Sequence, residues 1–246
     1  MCNAAYLGVF LYINMLQYTK GVIMLDRLEL LVKDKIKDIK NKHVLVIGLG
    51  GVGGYTVESL IRSGIEKITI VDYDKIDITN LNRQIIANMN NIGCFKVDEM
   101  EKRIISINPN CKIYKIKDKI TIENIDILFQ NKIDYLIDAC DTVSVKKELI
   151  LKCIDKKIKF ISCMGTGNKM DPSKLKIMDV RDTNYDPLAR IIRKMVKDKK
   201  IKDKIYVVAS SEIPIKRDKI GSNAYVPSTA GLLLTSYVIN DIVGEL

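Results

Sequence analysis

From His43 to Asp74 the chain reads HVLVIGLGGVGGYTVESLIRSGIEKITIVDYD, and no other stretch restricts its folding so tightly. Val44 to Ile47 is a short apolar, β-branched run, which predicts a buried strand. It runs into Gly48, Gly50, Gly51, Gly53 and Gly54, after which apolar residues recur at Val52, Val57, Leu60 and Ile61, a helical period. A second apolar strand, Ile68 to Val71, ends in Asp72. Strand, glycine turn, helix and strand-plus-acid together make the nucleotide-binding βαβ fingerprint. Glycines let the backbone approach a phosphate, and the helix start offers it unpaired N–H groups and a positive dipole end. Asp72 stands where a carboxylate accepts hydrogen bonds from ribose hydroxyls.

Strands and helices continue to alternate downstream. Lys96 to Asn108 reads as a helix stopped by Pro109, Cys111 to Ile116 as a strand, and Ile125 to Phe129 as a short helix. Tyr135 to Asp138 is a strand, Val145 to Ile154 a helix and Phe160 to Ser162 a strand. The expected fold is a doubly wound, Rossmann-like α/β domain: a mainly parallel sheet flanked by helices, with a C-terminal substrate-side extension of the sheet. From Met164 the texture becomes polar and loop-like. A basic helix from Pro187 to Lys197, a strand from Ile205 to Ala209 and an apolar closing helix from Thr229 to Val243 follow. Ahead of the fingerprint, Leu25 to Ile39 reads as one helix. Residues 1–23 carry an apolar run too short to span a bilayer and without a basic leader. They are expected to be a poorly ordered extension, or a mis-called start upstream of Met24. Residues 24–246 then form one domain, 24–163 binding nucleotide and 164–246 forming its substrate-side part.

With 40 Lys+Arg against 30 Asp+Glu the net charge is +10, which suits a polyanionic partner or simply reflects lysines on solvated faces. Six cysteines without a C-x-x-C pair argue against a zinc site and a disulfide framework, and fit reduced thiols in the cytoplasm. The single histidine, His43, opens a strand, so its expected role is structural.

Three features converge on the glycine turn. Asn80 and Arg83 follow the second strand in TNLNRQ, Lys96 opens the next helix, and Asp141 follows a third parallel strand. Carboxyl ends of such strands border the ligand crevice. An amide, a guanidinium and an ammonium beside a phosphate cradle suit a triphosphate, and a carboxylate can hold Mg2+. A nicotinamide-dependent oxidoreductase would use the turn and Asp72 but has no call for this Arg and Lys.

The segments GLGGVGG, VDYDKIDITNLNRQ and DACD (138–141), with Lys96, resemble the ubiquitin-activating-enzyme-like adenylyltransferases, the ThiF-type domain, from about Leu25 to the end. Within them the resemblance is to the branch that acts on threonylcarbamoyladenosine in tRNA. It rests on DRLELLV (26–32), SCMGTGNKMDP (162–172), DTNYDPLARIIRK (182–194), VVASSEIPIK (207–216) and the ending YVPSTAGLLLTSYVINDIVG. The resemblance implies ATP and Mg2+ as cofactors, with Gly48, Gly50, Gly51 and Gly53 lining the phosphates and Asp72 the ribose. Asn80, Arg83 and Lys96 would contact the triphosphate, and Asp141 would work with the metal. Arg27 matches an arginine that related enzymes supply across a homodimer interface. The implied reaction is adenylation of the threonyl carboxylate, then ring closure with release of AMP and net loss of water. Lys169, Arg190, Arg193 and Lys194 are candidate tRNA contacts, the last three on one helical face. Cys163 lies beside the presumed substrate loop, where a buried structural thiol is the simpler reading. Partner proteins for sulfur relay are conceivable; a membrane partner is not implied. The rivals are adenylation of a small sulfur-carrier protein's C-terminal glycine and a catalytically idle tRNA-binding module.

Overall fold

The computed structural model describes residues 24–245. Expectations for residues 1–23 lie outside that range. Seven strands form one sheet: β1 (His43–Ile47), β2 (Lys67–Val71), β3 (Lys112–Ile116), β4 (Tyr135–Asp138), β5 (Lys159–Cys163), β6 (Leu175–Asp179) and β7 (Tyr206–Ser210). Their spatial order is β3-β2-β1-β4-β5-β7-β6. Every pairing is parallel except that of β6 with β7. The chain runs outward from β1 to β3, then crosses back to lay β4 on β1's other side. That reversal between β1 and β4 opens a crevice at their carboxyl ends.

The helices are α1 (Asp26–Val32), α2 (Ile36–Asn41), α3 (Gly53–Arg62), α4 (Lys96–Ile107), α5 (Val143–Asp155), α6 (Pro187–Asp198) and α7 (Tyr225–Val243). All of β1 is buried because both sheet faces are covered. Val44 and Val46 join a core with Val57, Leu60, Ile61, Leu234 and Val238 from α3 and α7. Leu45 and Ile47 face the opposite cluster with Val145, Leu149 and Cys153 of α5. Each fully buried aliphatic side chain contributes about 1.5–3 kcal/mol. A third cluster packs Ile192, Met195 and Val196 of α6 on Val207 and Ala209 of β7.

The helix expected over Leu25 to Ile39 is broken, because Lys33 takes a left-handed φ of 53° and α1 and α2 separate there. Helix α7 starts four residues earlier than the apolar pattern suggests; Pro227 sits in its first turn, where a missing N–H costs nothing. Strand β6 is an additional element, a half-exposed edge strand paired only with β7. Helix α7 crosses α3 closely. A Cβ at Gly231 would lie 2.4 Å from the Val52 carbonyl oxygen. The Thr235 and Ser59 hydroxyls lie 2.6 Å apart across the crossing. Helix α7 therefore backs the glycine turn directly.

His43 is bound into the far end of the sheet, its Nδ1 2.7 Å from the Lys132 carbonyl and its Nε2 2.9 Å from Thr69 Oγ1. A carbonyl partner requires Nδ1–H, and the Thr69 hydroxyl, which can donate or accept, serves the other ring nitrogen. Burial, assisted by Lys67 and Lys112, lowers its pKa against the pull of the Lys132 carbonyl and Asp134.

Candidate functional site

A cleft of about 1530 Å³ opens where β1 and β4 part. The glycine turn forms its floor. Gly48 has φ +87°, and a Cβ there would meet the Ala139 carbonyl oxygen at 2.7 Å, so strand β4's exit seals against the turn. A Cβ at Gly53 would fall 1.7 Å from the Gly48 oxygen. Gly53 is thus a packing position that lets α3 begin tightly under the turn, and it does not line the cleft. Gly50 differs: a Cβ there would meet only Gln84 Nε2, at 3.9 Å, and Gly50 and Gly51 both face the cleft. A phosphate therefore has room above Gly50 and Gly51, at the positive, N-terminal end of α3.

Asp72, at the end of β2, accepts from Leu49 N at 2.6 Å and from Asp74 N at 2.8 Å. One carboxylate thereby clamps the turn and edges the cleft. Burial raises its pKa, while the Lys96 ammonium and those two N–H groups draw it back down. Lys96 is buried; its Nζ bonds Asp74 at 2.9 Å and stands 4.0 Å from Asp72. Asn80 is also buried and spends its Oδ1 on Asp77 N at 3.1 Å in a capping box, leaving Nδ2 to donate. Arg83 bonds the Thr79 carbonyl and Asn82, each at 2.8 Å, at the surface of the same loop. Asn80, Arg83 and Lys96 all line the cleft. So does Asp141, exposed at the exit of β4. Asp74, then burial, Asp141 and Asp72 together raise the pKa of Tyr73, which marks an acidic rim on this side.

The lining fits a nucleoside triphosphate: open space over Gly50 shares one cleft with the nitrogens of Asn80, Arg83 and Lys96 and the Asp72 carboxylate. For Mg2+ the protein supplies less. Among the described residues no group of three His, Cys, Asp or Glu side chains is close enough to cage a metal ion. Asp141 is the fitting ligand if phosphate oxygens and water complete the sphere, the usual habit of that ion.

Behind the β4 and β5 exits lies a fully buried cluster. Lys146 of α5 donates to Asp138 Oδ2 at 2.6 Å, Ser162 Oγ at 2.9 Å and the Cys163 carbonyl at 3.1 Å. Burial pulls the Lys146 pKa down, but Asp138, helped by Cys140 and Cys163, brings it above the ordinary value, so the group stays an ammonium. Burial pushes the Cys163 thiol up to about 12, and its Sγ faces the Met164 carbonyl. This cysteine is a buried thiol at neutral pH, not a thiolate nucleophile.

The substrate-side candidates divide. Lys169 lines the cleft but is buried, bonding the Gly165 carbonyl at 2.5 Å and Asp186 at 3.0 Å. Expected as a tRNA contact, it is engaged within the protein: the ammonium ties the 165–169 loop to the α6 N-cap, where Asp186 also accepts from Ala189 N at 2.9 Å. Arg193 likewise turns inward, donating to the Thr183 carbonyl and hydroxyl. Arg190 and Lys194 remain exposed on α6, whose apolar face (Ala189, Ile192, Met195, Val196) is buried. Arg27 is exposed on α1 and does not line the cleft. Its neighbour Leu25 packs at Gly64, beyond the far end of α3 from the glycine turn.

Sequence reasoning passed over Gln84 and Lys146. Gln84 is 6% exposed, lines the cleft, and leaves its Oε1 without a hydrogen-bond partner. Lys146 has a sequence signal: it shares i, i+3, i+4, i+7 spacing with buried Leu149, Ile150 and Cys153, so a charge sits on an apolar face.

Comparison with known proteins adds a second line. A model of the ThiF family matches residues 25–208. The tRNA threonylcarbamoyladenosine dehydratase of Bacillus subtilis (strain 168) is 38% identical over 233 residues, 87% of this chain and 92% of that protein. The protein of the same name from Escherichia coli (strain K12) is 39% identical over 155 residues, 63% of this chain and 58% of the relative. A crystal structure of E. coli tRNA N6-threonylcarbamoyladenosine dehydratase, TcdA, in complex with ATP superposes with a TM-score of 0.83 at 30% identity, covering 91% of this chain and 98% of that one.

Proposed function

The chain belongs to the ThiF family, and from that premise we propose that it is an ATP-dependent dehydratase of threonylcarbamoyladenosine in tRNA. The observation that carries this reading is one continuous cleft, running from the glycine turn past Asp141 to the 164–169 loop and the start of α6. Such a cleft holds a triphosphate and an acyl acceptor side by side.

The threonyl carboxylate attacks the α-phosphorus of ATP. A bond forms from carboxylate oxygen to phosphorus, and pyrophosphate leaves. Charge grows on the phosphate oxygens, and Arg83, Lys96, Asn80 Nδ2 and the turn N–H groups are fixed donors for it. Asp141 would hold Mg2+, whose charge would screen the phosphates. An atom of the carbamoyl unit then attacks the acyl carbon, the carbon–oxygen bond to AMP breaks and a five-membered ring closes. Intramolecular attack of this kind reaches effective molarities of about 10⁵ M or more, so no covalent enzyme intermediate is required. The oxygen formally lost as water departs in AMP. Modified tRNA carrying ¹⁸O in the threonyl carboxylate, incubated with ATP and this protein, is therefore expected to yield ¹⁸O-labelled AMP and a nucleoside lighter by one water. Unlabelled AMP, or no mass change, contradicts the reading.

Exposed Arg190 and Lys194 on α6 bind the tRNA backbone. Removing both as alanines should weaken tRNA binding and flatten the salt dependence by about two counterions, with ATP affinity unaltered. An unchanged salt slope places the docking face elsewhere.

The enzyme works as a homodimer in which Arg27 of one protomer completes the cleft of the other. Supporting this, α1 buries none of its own side chains, and Leu30 and Leu31 are 81% and 80% exposed. Mixing inactive Arg27→Ala and Lys96→Met proteins under subunit exchange should restore about a quarter of wild-type activity by random pairing. No recovery despite exchange would show that Arg27 acts within its own chain or not at all.

A further inference from the structure

Gln84 follows Arg83 in the loop after β2, its backbone N–H bonded to the Asn80 carbonyl at 2.9 Å. The side chain is folded inward, with the whole residue only 6% exposed. Its Oε1 is buried and has no partner, the one such side-chain atom among the described residues. Its Nε2 hangs over the glycine turn, 3.9 Å from where a Cβ of Gly50 would stand. The residue lines the cleft.

A buried amide oxygen without a partner is a net cost to the free protein, and a methionine of similar shape would fill the same wall without it. The loop does not need the amide for its own conformation. That work is done by the Asp77–Asn80 capping box and the backbone bonds from Asn80 onward. The recognition chemistry available at this spot is set by the turn: the positive, N-terminal end of α3 favours an anionic phosphate above Gly50 and Gly51. A phosphate offers acceptors to Nε2, the end of the amide that stands over Gly50. The orphaned Oε1 is carried because Nε2 is kept for that acceptor.

We propose that Gln84 is a nucleotide-binding residue whose side-chain amide contacts the phosphate chain of ATP, and that its buried, unpartnered state in the free protein is the cost of that contact. The proposal rests on the ATP reading above and adds a residue to it. It implies opposite signs for stability and affinity at one position. Gln84→Met should melt at the same temperature as the wild-type protein or higher when free. Its affinity for ATP and ADP should fall about tenfold, the value of one hydrogen bond to a charged acceptor. Adenosine, which lacks phosphates, should bind both proteins equally. Gln84→Glu sets a carboxylate of the same shape against the phosphates and should lose more ATP affinity than Gln84→Met, again sparing adenosine.

Calorimetric titration of ATP, ADP and adenosine, with thermal melts of each free protein, reads all of this. If wild type binds adenosine and ATP with equal affinity, or binds neither, the ATP reading itself fails. If wild type prefers ATP but Gln84→Met keeps that preference in full, the ATP reading stands and Gln84 is wall filler. A lower melting point for free Gln84→Met likewise overturns the proposal, since the amide would then be serving the fold.

Discussion

Lys146→Met is expected to destabilise the protein by roughly 3–5 kcal/mol, the range for removing one partner of a fully buried ion pair. Methionine keeps the length and most of the volume of lysine, so the loss does not come from a cavity. It comes from Asp138, wholly buried, whose Oδ2 would lose its 2.6 Å ammonium partner and keep only the Ser162 hydroxyl. The informative control is the double variant Lys146→Met with Asp138→Asn. It retains an oxygen for the Cys140 N–H, bonded at 3.1 Å, but carries no uncompensated charge. Urea denaturation should show the double variant recovering at least half of the single variant's loss. If the double is as unstable as the single, the lysine acts through packing and the charge pairing is incidental. The same change should reduce turnover in the folded fraction, because Lys146 also bonds Ser162 and the Cys163 carbonyl. Three bonds from one ammonium lock the ends of β4 and β5, whose following loops are walls of the cleft. The pair is therefore where fold stability and site geometry meet.

How much of this was readable from residues alone depends on the range over which each feature is determined. The glycine turn was readable because its constraints are local: a strand's apolar run, a left-handed φ at Gly48 and a helical period after it all lie within neighbouring residues. Asn80, Arg83, Lys96 and Asp141 were found together because parallel βαβ connections deliver every strand's carboxyl end to one rim. What sequence missed was set by long-range pairing. Lys169 looks like any polar-loop lysine until Asp186, seventeen residues on, is placed within 3.0 Å of it. Arg193 falls on a basic helix face by spacing, yet Thr183 draws it inward. Edge strand β6 carries lysine and a half-exposed pattern over only five residues, too short and too polar to declare itself. The break at Lys33 has no glycine to announce it. Gln84 closes the TNLNRQ motif with no signal of its own, since an unsatisfied amide oxygen is a property of surroundings and not of residue type.

Lys96→Met is expected to reduce kcat/KM for ATP by about 10²–10³-fold, the usual consequence of deleting a preorganised donor to developing charge. The geometry adds a second effect with its own sign. In the free protein the Lys96 ammonium sits 4.0 Å from Asp72 and is the chief charge drawing that carboxyl's pKa down against burial. Without it, Asp72 must become harder to ionise. A protonated Asp72 accepts fewer hydrogen bonds, so both its hold on Leu49 N and its contact with ribose weaken as pH falls. Wild type should thus begin to lose ATP affinity at a higher pH than an unperturbed aspartate would dictate, because burial has already raised Asp72. In Lys96→Met that acid limb should move to still higher pH. Lys96→Arg should not restore activity, since a planar guanidinium needs more room than the buried slot between Asp72 and Asp74 provides. The pH dependence of ATP affinity, measured for the three proteins, separates the two roles. A uniform drop with the acid limb unmoved leaves Lys96 a phosphate donor only. A displaced limb with little loss at neutral pH makes it chiefly the counter-charge that keeps Asp72 ionised.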